Sequence, residues 1–477
     1  MEHYAYERLS ALDNSFLILE GPNAYMHVAS TMVFDAGPLR RHDGGIDAEA
    51  LKARIAASLH RIPRYRQKLA WIPLENHPVW VDDDCFHLDY HVRHTSLPRP
   101  GSGEQLKRLS SRIMQQHLDR ARPLWEIWVV EGLDKERFAL VTKVHHCMVD
   151  GISGVDLMKV LMSPVPDSSR PEDEDLPRFI PRRTPSGWEL LRHELERFVR
   201  LPLTAVRDVR GFVREADDAR QELLVQLRAA AETLGASLRR TSPTPLNRPI
   251  GPHRRFGWMT MDISEVKAVR RAFGGSFNDV VLTIVTGAVR RFFERRGARI
   301  QGLDFRVMAP VSVRTPGQDG SLGNRVSAWV LPLPLDEDDP RKRLRRIAKR
   351  THELKTSRSA VGASMLTQAA EWTPSSLLAL GARNVTRLLP FHLVVTNVPG
   401  PQFPMYLAGA RMREVFPHVP LVGNLGLGIA LLSYDGRLHW GFNADYDIVP
   451  DLEDFVADTR DALAELLRAA RPVEGSG

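Results

Sequence analysis

Apolar and polar positions alternate over His27 to Phe34 and Phe138 to Val144, and a period of two predicts strands. Asp47 to His60 and Glu104 to Leu118 instead space their apolar residues three and four apart, which predicts amphipathic helices. From Gly187 to about Arg240 the pattern is again helical, with Trp188, Leu191, Leu195 and Phe198 on one expected face and a second charged helix after Pro202. Val280, Val281, Ile284 and Phe292 predict a further helix, and Arg341 to Lys355 sets Leu344, Ile347, Ala348, Thr351 and Leu354 opposite a dense basic face. Two breaker-rich stretches interrupt this order, Ser163 to Arg183 and Ser242 to Pro252. The expected class is α/β (α+β), with one domain over 1–165, linker and crossover helices over 166–250, and a second domain over 251–477. No repeat of 20 to 50 residues is visible.

The 477 residues are enough for two domains, and 43% apolar against 26% charged residues is a globular composition that excludes global disorder. Cys85 and Cys147 cannot make a disulfide framework, so a reducing compartment is the simpler expectation. The opening MEHYAYERLS has no signal-like apolar core, and runs such as Val419 to Ser433 are short and broken by Gly. The expected location is therefore cytoplasmic. The net charge of +7 tilts the surface toward anionic partners, namely nucleic acid, an acidic membrane or a phosphate-bearing substrate. A basic surface without any such partner fits the charge equally well. No zinc, RRM or KH signature points to nucleic acid, which is not expected as a partner.

Several chemistries lack their motifs. There is no G-x-S-x-G elbow for a serine nucleophile and no Gly-Lys pair for a Walker A loop. Gly423, Gly426 and Gly428 in GNLGLG reverse the dinucleotide spacing, and both C-x-x-C and H-E-x-x-H are missing. Neither metal nor cofactor is expected.

The segment Phe138 to Gly154, FALVTKVHHCMVDGISG, stands out. An apolar strand runs into two histidines, and Asp150-Gly151 reads as a turn after it. Alternation sends His145 and His146 to opposite sides, so one of them faces any given cavity, and Cys147 points away from whatever His146 faces. A neutral imidazole there can take a proton from a hydroxyl near pH 7. Consecutive strand residues cannot converge on one ion, which disfavours a metal. Asp150 suits a loop-fixing role with an arginine partner more than a triad role. The bland alternative is that the histidines only end a strand and Asp150 only makes a turn.

The pattern H-H-x-x-x-D-G resembles the signature of the acyltransferase superfamily that includes chloramphenicol acetyltransferase and the condensation domains of peptide synthetases. Further blocks are similar to bacterial wax ester synthase/diacylglycerol acyltransferases: Leu9 to Ser30, Arg122 to Leu133, Ser276 to Leu282, Leu322 to Asn324 and Thr396 to Pro401. Together they span nearly the whole chain. The resemblance implies two chloramphenicol-acetyltransferase-like halves joined by a helical crossover, with a tunnel between them. It implies His146 as general base, His145 as its support and Asp150 as a structural residue. It implies substrate contacts at Gly151, at Pro123, Leu124 and Trp125, and at Asn278 and Asp279. Arg66, in Pro63-Arg64-Tyr65-Arg66, matches the arginine that pairs with the motif aspartate, with Arg61 and Arg64 as competitors.

Each position also has an ordinary reading: Trp125 as core, Asn278 as a helix cap, Asp279 as a first-turn acid, and the LGN and NVPGP blocks as backbone turns. The reaction implied is direct transfer of a long acyl group from acyl-CoA to diacylglycerol, giving triacylglycerol, or to a fatty alcohol, giving a wax ester. Acyl-CoA enters as substrate, not as cofactor. A covalent route through Cys147 is the competing mechanism. A carrier-protein-dependent acyltransfer or condensation enzyme, and a non-catalytic protein binding lipid inclusions, are the competing functions. The lipid substrates imply peripheral contact with the inner membrane or lipid inclusions, for which Arg341 to Lys355 and the crossover helices are the amphipathic candidates. Core packing is the alternative use of both apolar faces.

Overall fold

The computed structural model describes residues 6–148, 158, 160–167, 179–197, 242–312, 326–356 and 389–471. Two six-stranded sheets dominate it. The first runs β12-β13-β2-β7-β6-β5, built from Tyr406–Leu407, Ala410–His418, His27–Asp35, Arg137–His145, Trp125–Leu133 and Val92–Ser96. The second runs β10-β9-β11-β14-β15-β8, built from Val326–Pro332, Arg306–Ser312, Leu393–Pro399, Leu427–Tyr434, Arg437–Asp445 and Arg254–Asp262. A small third sheet, β1-β4-β3, joins Tyr6–Arg8, Pro78–Asp82 and Gln67–Trp71. The mixed α/β class expected from the sequence is the observed one.

Burial along the strands explains their positions. Central β7 and β14 are buried at nearly every residue, because both faces are covered, whereas edge strand β5 alternates buried and exposed. The longer helices among the described residues are α1 (Ala11–Leu19), α2 (Ala48–Ser58), α3 (Gly103–Met114), α4 (187–197), α5 (Ile263–Phe273), α6 (Phe277–Arg295), α7 (Pro340–Thr356) and α8 (Leu452–Ala470). Ser10, Asp47, Ser102, Asp262 and Ser276 cap the starts of α1, α2, α3, α5 and α6 by accepting an otherwise unpaired backbone N–H. Helix α6 lies against α8, where a Cβ on Gly287 would stand 2.8 Å from the Ala462 Cβ, so only glycine allows the contact.

A feature absent from the sequence-based division is that β12 and β13, from the C-terminal part, complete the first sheet. β13 pairs with β2 from Met412 opposite Phe34 to His418 opposite Ala29. The strand then lies against β15 so closely that a Cβ on Gly441 would meet the Pro417 carbonyl at 1.8 Å. Buried His418 ties the parts together, stacking on Phe256 of β8 at 3.4 Å with Nε2 3.1 Å from the Thr31 hydroxyl of β2.

Three expectations change. The expected face of α4 is not the buried one: Leu190 and Glu194 point inward, and Trp188 and Leu195 are exposed, because α4 packs on the small sheet where Glu194 meets Arg8. Phe198 and the second crossover helix lie outside the described residues. The apolar face of α7 is not available to a lipid surface, since Leu344, Ile347 and Thr351 are buried and the two aliphatic chains belong to the core of the second sheet. Its basic face, with Lys342, Arg345, Arg346, Lys349 and Arg350, is exposed. Finally, Thr396 to Pro399 form the end of strand β11 and not a turn; the LGN block lies outside the described residues. Among the described residues no single helix is long and apolar enough to cross a membrane, and α5 with α6 pass only as a pair bent by 100°.

Candidate active site

Strand β7 ends at His145, and His146–Met148 turn directly into a single 3-10 turn. Main-chain bonds fix that corner. The His145 N–H donates to the Leu124 carbonyl at 2.9 Å, and the His146 N–H donates to the Met26 carbonyl at 2.8 Å. Helix α1 packs on the turn and lays Phe16 against the His146 ring, with centroids 3.8 Å apart.

The two histidines have different surroundings. His145 is buried, its Nδ1 accepting from the Cys147 N–H at 3.2 Å and lying 3.0 Å from the Cys147 thiol. An N–H can only donate, so the lone pair of His145 is on Nδ1 and its hydrogen on Nε2. The His146 ring makes no hydrogen bond to another described side chain, and its Nδ1 is enclosed without a partner in standard geometry. Burial pushes its pKa down to about 4, and His145 adds to that, while the residue's own backbone carbonyl opposes it. The ring is therefore neutral at physiological pH and retains a free lone pair, which is what a proton acceptor needs. Burial pushes the Cys147 thiol well above its ordinary value, so little of the nucleophilic thiolate forms.

The remaining sequence candidates fall in three places. Pro123, Leu124 and Trp125 lead into β6, and Leu124 and Trp125 are fully buried. The Trp125 indole donates to the Tyr65 carbonyl at 2.8 Å and stacks on His91 at 4.5 Å. Asp279 opens α6 and spends both oxygens, one on the Ser276 N–H at 2.6 Å and one on the Thr351 hydroxyl at 2.7 Å. Ser276, not Asn278, is the cap of that helix, which corrects the reading of Asn278. Asn278 is exposed and accepts from the Asn397 amide at 2.8 Å, bringing the SFNDVVL and TNVPGP blocks together.

Asp150 and Gly151 lie outside the described residues, so the Arg66–Asp150 pair is not described. Arg66 itself sits over the Phe179 ring at 4.2 Å and lines a pocket of about 370 Å³ with Leu59, Phe86, Leu88 and Asp89; His146 is not in that lining. Arg64 pairs with Glu7, and Arg61 donates to the Val160 carbonyl. Among the described residues no trio of His, Cys, Asp or Glu forms a metal-ligand set.

Sequence reasoning missed Phe16, Glu20 and His27, although all three stand in the Leu9 to Ser30 block. Glu20 closes α1, and its Oε1 lies 3.4 Å from His27 Nε2, 3.5 Å from His117 Nδ1 and 3.6 Å from His145 Nε2. Arg120 holds the other oxygen at 2.8 Å. Burial alone would raise the Glu20 carboxyl, but contacts with His145 and His27 outweigh it and hold the group well below the ordinary carboxylate range. Burial pushes His27 down to about 4. The signal available was a lone glutamate one helical turn after an aromatic residue, followed by a histidine opening a strand.

Comparison with known proteins fits this geometry. Residues 9–281 match the model of the wax ester synthase/diacylglycerol acyltransferase catalytic domain, and residues 322–467 match that of the WS/DGAT C-terminal domain. A Mycobacterium tuberculosis H37Rv protein, named by inference a diacylglycerol O-acyltransferase, is 33% identical over 481 residues, covering 98% of this chain and 91% of the relative. The solved wax ester synthase/diacylglycerol acyltransferase from Marinobacter aquaeolei VT8 superposes with a TM-score of 0.67 at 25% identity, covering 97% of this chain and 99% of that one. The starter condensation domain of rhizomide synthetase bound to C8-CoA, with a TM-score of 0.57 at 14% identity over 98% and 95% of the two chains, shares the fold. So does the trichothecene 15-O-acetyltransferase of Fusarium sporotrichioides, with a TM-score of 0.61 at 11% identity over 98% and 95%.

Proposed function

Because the chain belongs to the wax ester synthase/diacylglycerol acyltransferase family, we propose that it transfers a long acyl group from acyl-CoA to the hydroxyl of diacylglycerol, of a fatty alcohol, or of both, with His146 as general base. The observation that supports this reading is the His146 ring itself, neutral, with Nδ1 enclosed and no hydrogen bond to another side chain among the described residues, on a turn that main-chain bonds and the His145 Nδ1 contact hold in place.

The chemistry follows from that ring. With its Nδ1 hydrogen turned toward its own carbonyl, Nε2 carries the lone pair and accepts the proton of the acceptor hydroxyl. The hydroxyl oxygen bonds to the thioester carbonyl carbon, and the carbonyl electrons move onto oxygen. The tetrahedral adduct collapses by breaking the C–S bond, and the departing CoA sulfur takes the proton back from the imidazolium. Proton and charge balance without an acyl-enzyme. The protonated Cys147 thiol turned toward His145 disfavours the covalent route.

Thiol release from palmitoyl-CoA, measured with diacylglycerol, with hexadecanol and with neither, tests the proposal. Release that depends on one or both alcohols is expected. A folded protein that releases no thiol with either would overturn the reading, and acyl label trapped on the protein in a single turnover would overturn direct transfer.

A further inference from the structure

The Glu20 carboxylate makes contacts that the reaction scheme above does not use. Its side chain is 5% exposed, and Oε1 faces His27, His117 and His145 together while Oε2 takes Arg120 at 2.8 Å. Arg120 is itself set by a bond to the Leu17 carbonyl at 3.0 Å, in the last turn of α1. His27 is the strand partner directly across from His145, with the two rings in a T-shaped, edge-to-face arrangement at 5.8 Å. One helical turn before Glu20, Phe16 stacks on His146. Helix α1 thus braces both histidines of the turn from the same side.

We propose that Glu20 is a positioning residue for the base. Resting on the acyltransferase reading, it fixes the hydrogen of His145 on Nε2, which leaves Nδ1 to accept the Cys147 N–H and so holds the turn that aims His146. A carboxylate suits this place because its charge is shared by both oxygens: Oε2 accepts from Arg120, and Oε1, with no partner in hydrogen-bond geometry, faces the three imidazoles at 3.4–3.6 Å as an electrostatic contact. An amide of the same shape accepts on one only, so it turns an NH2 either on Arg120 or on the three imidazoles. The arrangement is a histidine oriented through its far nitrogen, the role that second-layer carboxylates play for ring orientation elsewhere. Here the carboxylate acts one residue before the reacting ring, through the backbone of the turn.

The test is Glu20→Gln, measured with palmitoyl-CoA and the alcohol that supports turnover. The expected result is a ten- to hundredfold lower kcat with the KM for palmitoyl-CoA within twofold. In a His146→Ala background the same change has no further effect on the residual rate, because Glu20 acts through His146. Arg120→Gln, at a side chain 38% exposed, loosens the carboxylate from its other end and lowers kcat in the same direction by a smaller factor, which keeps the test open if Glu20→Gln folds poorly. Histidine-selective ¹⁵N spectra give a readout independent of turnover: His145 carries its hydrogen on Nε2 in the wild type and becomes a tautomer mixture in Glu20→Gln. An unchanged kcat, an equal loss with and without His146, or an unchanged His145 tautomer would each overturn the proposal. A wild type that transfers no acyl group sinks the functional reading instead, and the spectra still decide the contact.

Discussion

The turn after β7 and the start of α6 both carry polar residues in a buried setting, yet they dispose of hydrogen bonds in opposite ways. At Ser276–Asp279 the hydroxyl accepts the Asp279 N–H, and the two carboxylate oxygens take the Ser276 N–H and the Thr351 hydroxyl. At His145–Cys147 the first imidazole is tied down through Nδ1, while the second has aromatic packing and no hydrogen-bonding side-chain partner among the described residues. A buried polar group without a partner costs free energy, and a bound substrate that supplies the partner recovers that cost. A saturated group has nothing left to offer a substrate without breaking what it already holds.

The largest effect expected from that contrast is on turnover. His146→Ala should lower kcat by roughly 10² to 10⁴, the range for losing a general base, and leave the urea midpoint close to that of the wild type. Wild-type turnover in the purified variant would remove the distinction between the two sites.

Acid should act next, and on stability. Burial pushes His27, His77, His146 and His439 to about 4 and His418 to about 3. All five lie below the unfolded value near 6.5, so the folded state holds them neutral while the unfolded chain binds their protons. Their stabilising effect is complete above pH 6.5 and is lost as pH falls from 6.5 toward 4. Each ring contributes a slope of at most about 1.4 kcal/mol per pH unit in that window. Urea midpoints at pH 7 and pH 5 should differ by several kcal/mol in extrapolated stability, and His146→Gln should reduce the slope by about one proton. A flat profile between pH 7 and 5 would contradict the buried neutral rings.

Asp279→Ala should act on the second site through folding. It removes a cap interaction and one of the two acceptors of the Thr351 hydroxyl on α7, which keeps the Ala348 carbonyl at 3.1 Å, for a combined cost of roughly 1–2 kcal/mol. Calorimetry of the variant should show that loss, with kcat of the folded fraction within a few-fold of the wild type. A full-strength fold with abolished turnover would make Asp279 a group that meets substrate.

How far these sites were legible varies with the kind of signal. Strand β7 and helix α6 followed from period, since an apolar face must be buried whatever surrounds it. The hydroxyl at Ser276 and the acid three residues on were a legible capping box, yet Asn278 drew the cap assignment because Asn also caps well. The inward face of α4 was not legible: the pairing of Glu194 with Arg8 reaches across 186 residues. The placement of β13 in the first sheet was hidden for the same reason, because strand pairing depends on partners that no local window contains. Glu20 was hidden differently. A single glutamate at a helix end is ordinary in a sequence, and only the convergence of His27, His117, His145 and Arg120 on it makes it unusual.

Asn278 gives the smallest and sharpest test of the comparison, because it sits one residue from a saturated acid and is itself exposed. Its recorded bond is acceptance from the Asn397 amide at 2.8 Å, joining the first turn of α6 to the end of β11. Exposed hydrogen bonds exchange with water at little cost, so Asn278→Ala should change stability by no more than about 0.5–1 kcal/mol. If its role is to hold those two segments together, Asn397→Ala should match it in size and the double variant should lose no more than either single one. If Asn278 instead meets the substrate, its loss should raise the KM for palmitoyl-CoA or for the alcohol while Asn397→Ala leaves KM alone. Equal KM values in the two variants would put Asn278 with Asp279 among the residues whose bonding capacity is already committed to the fold.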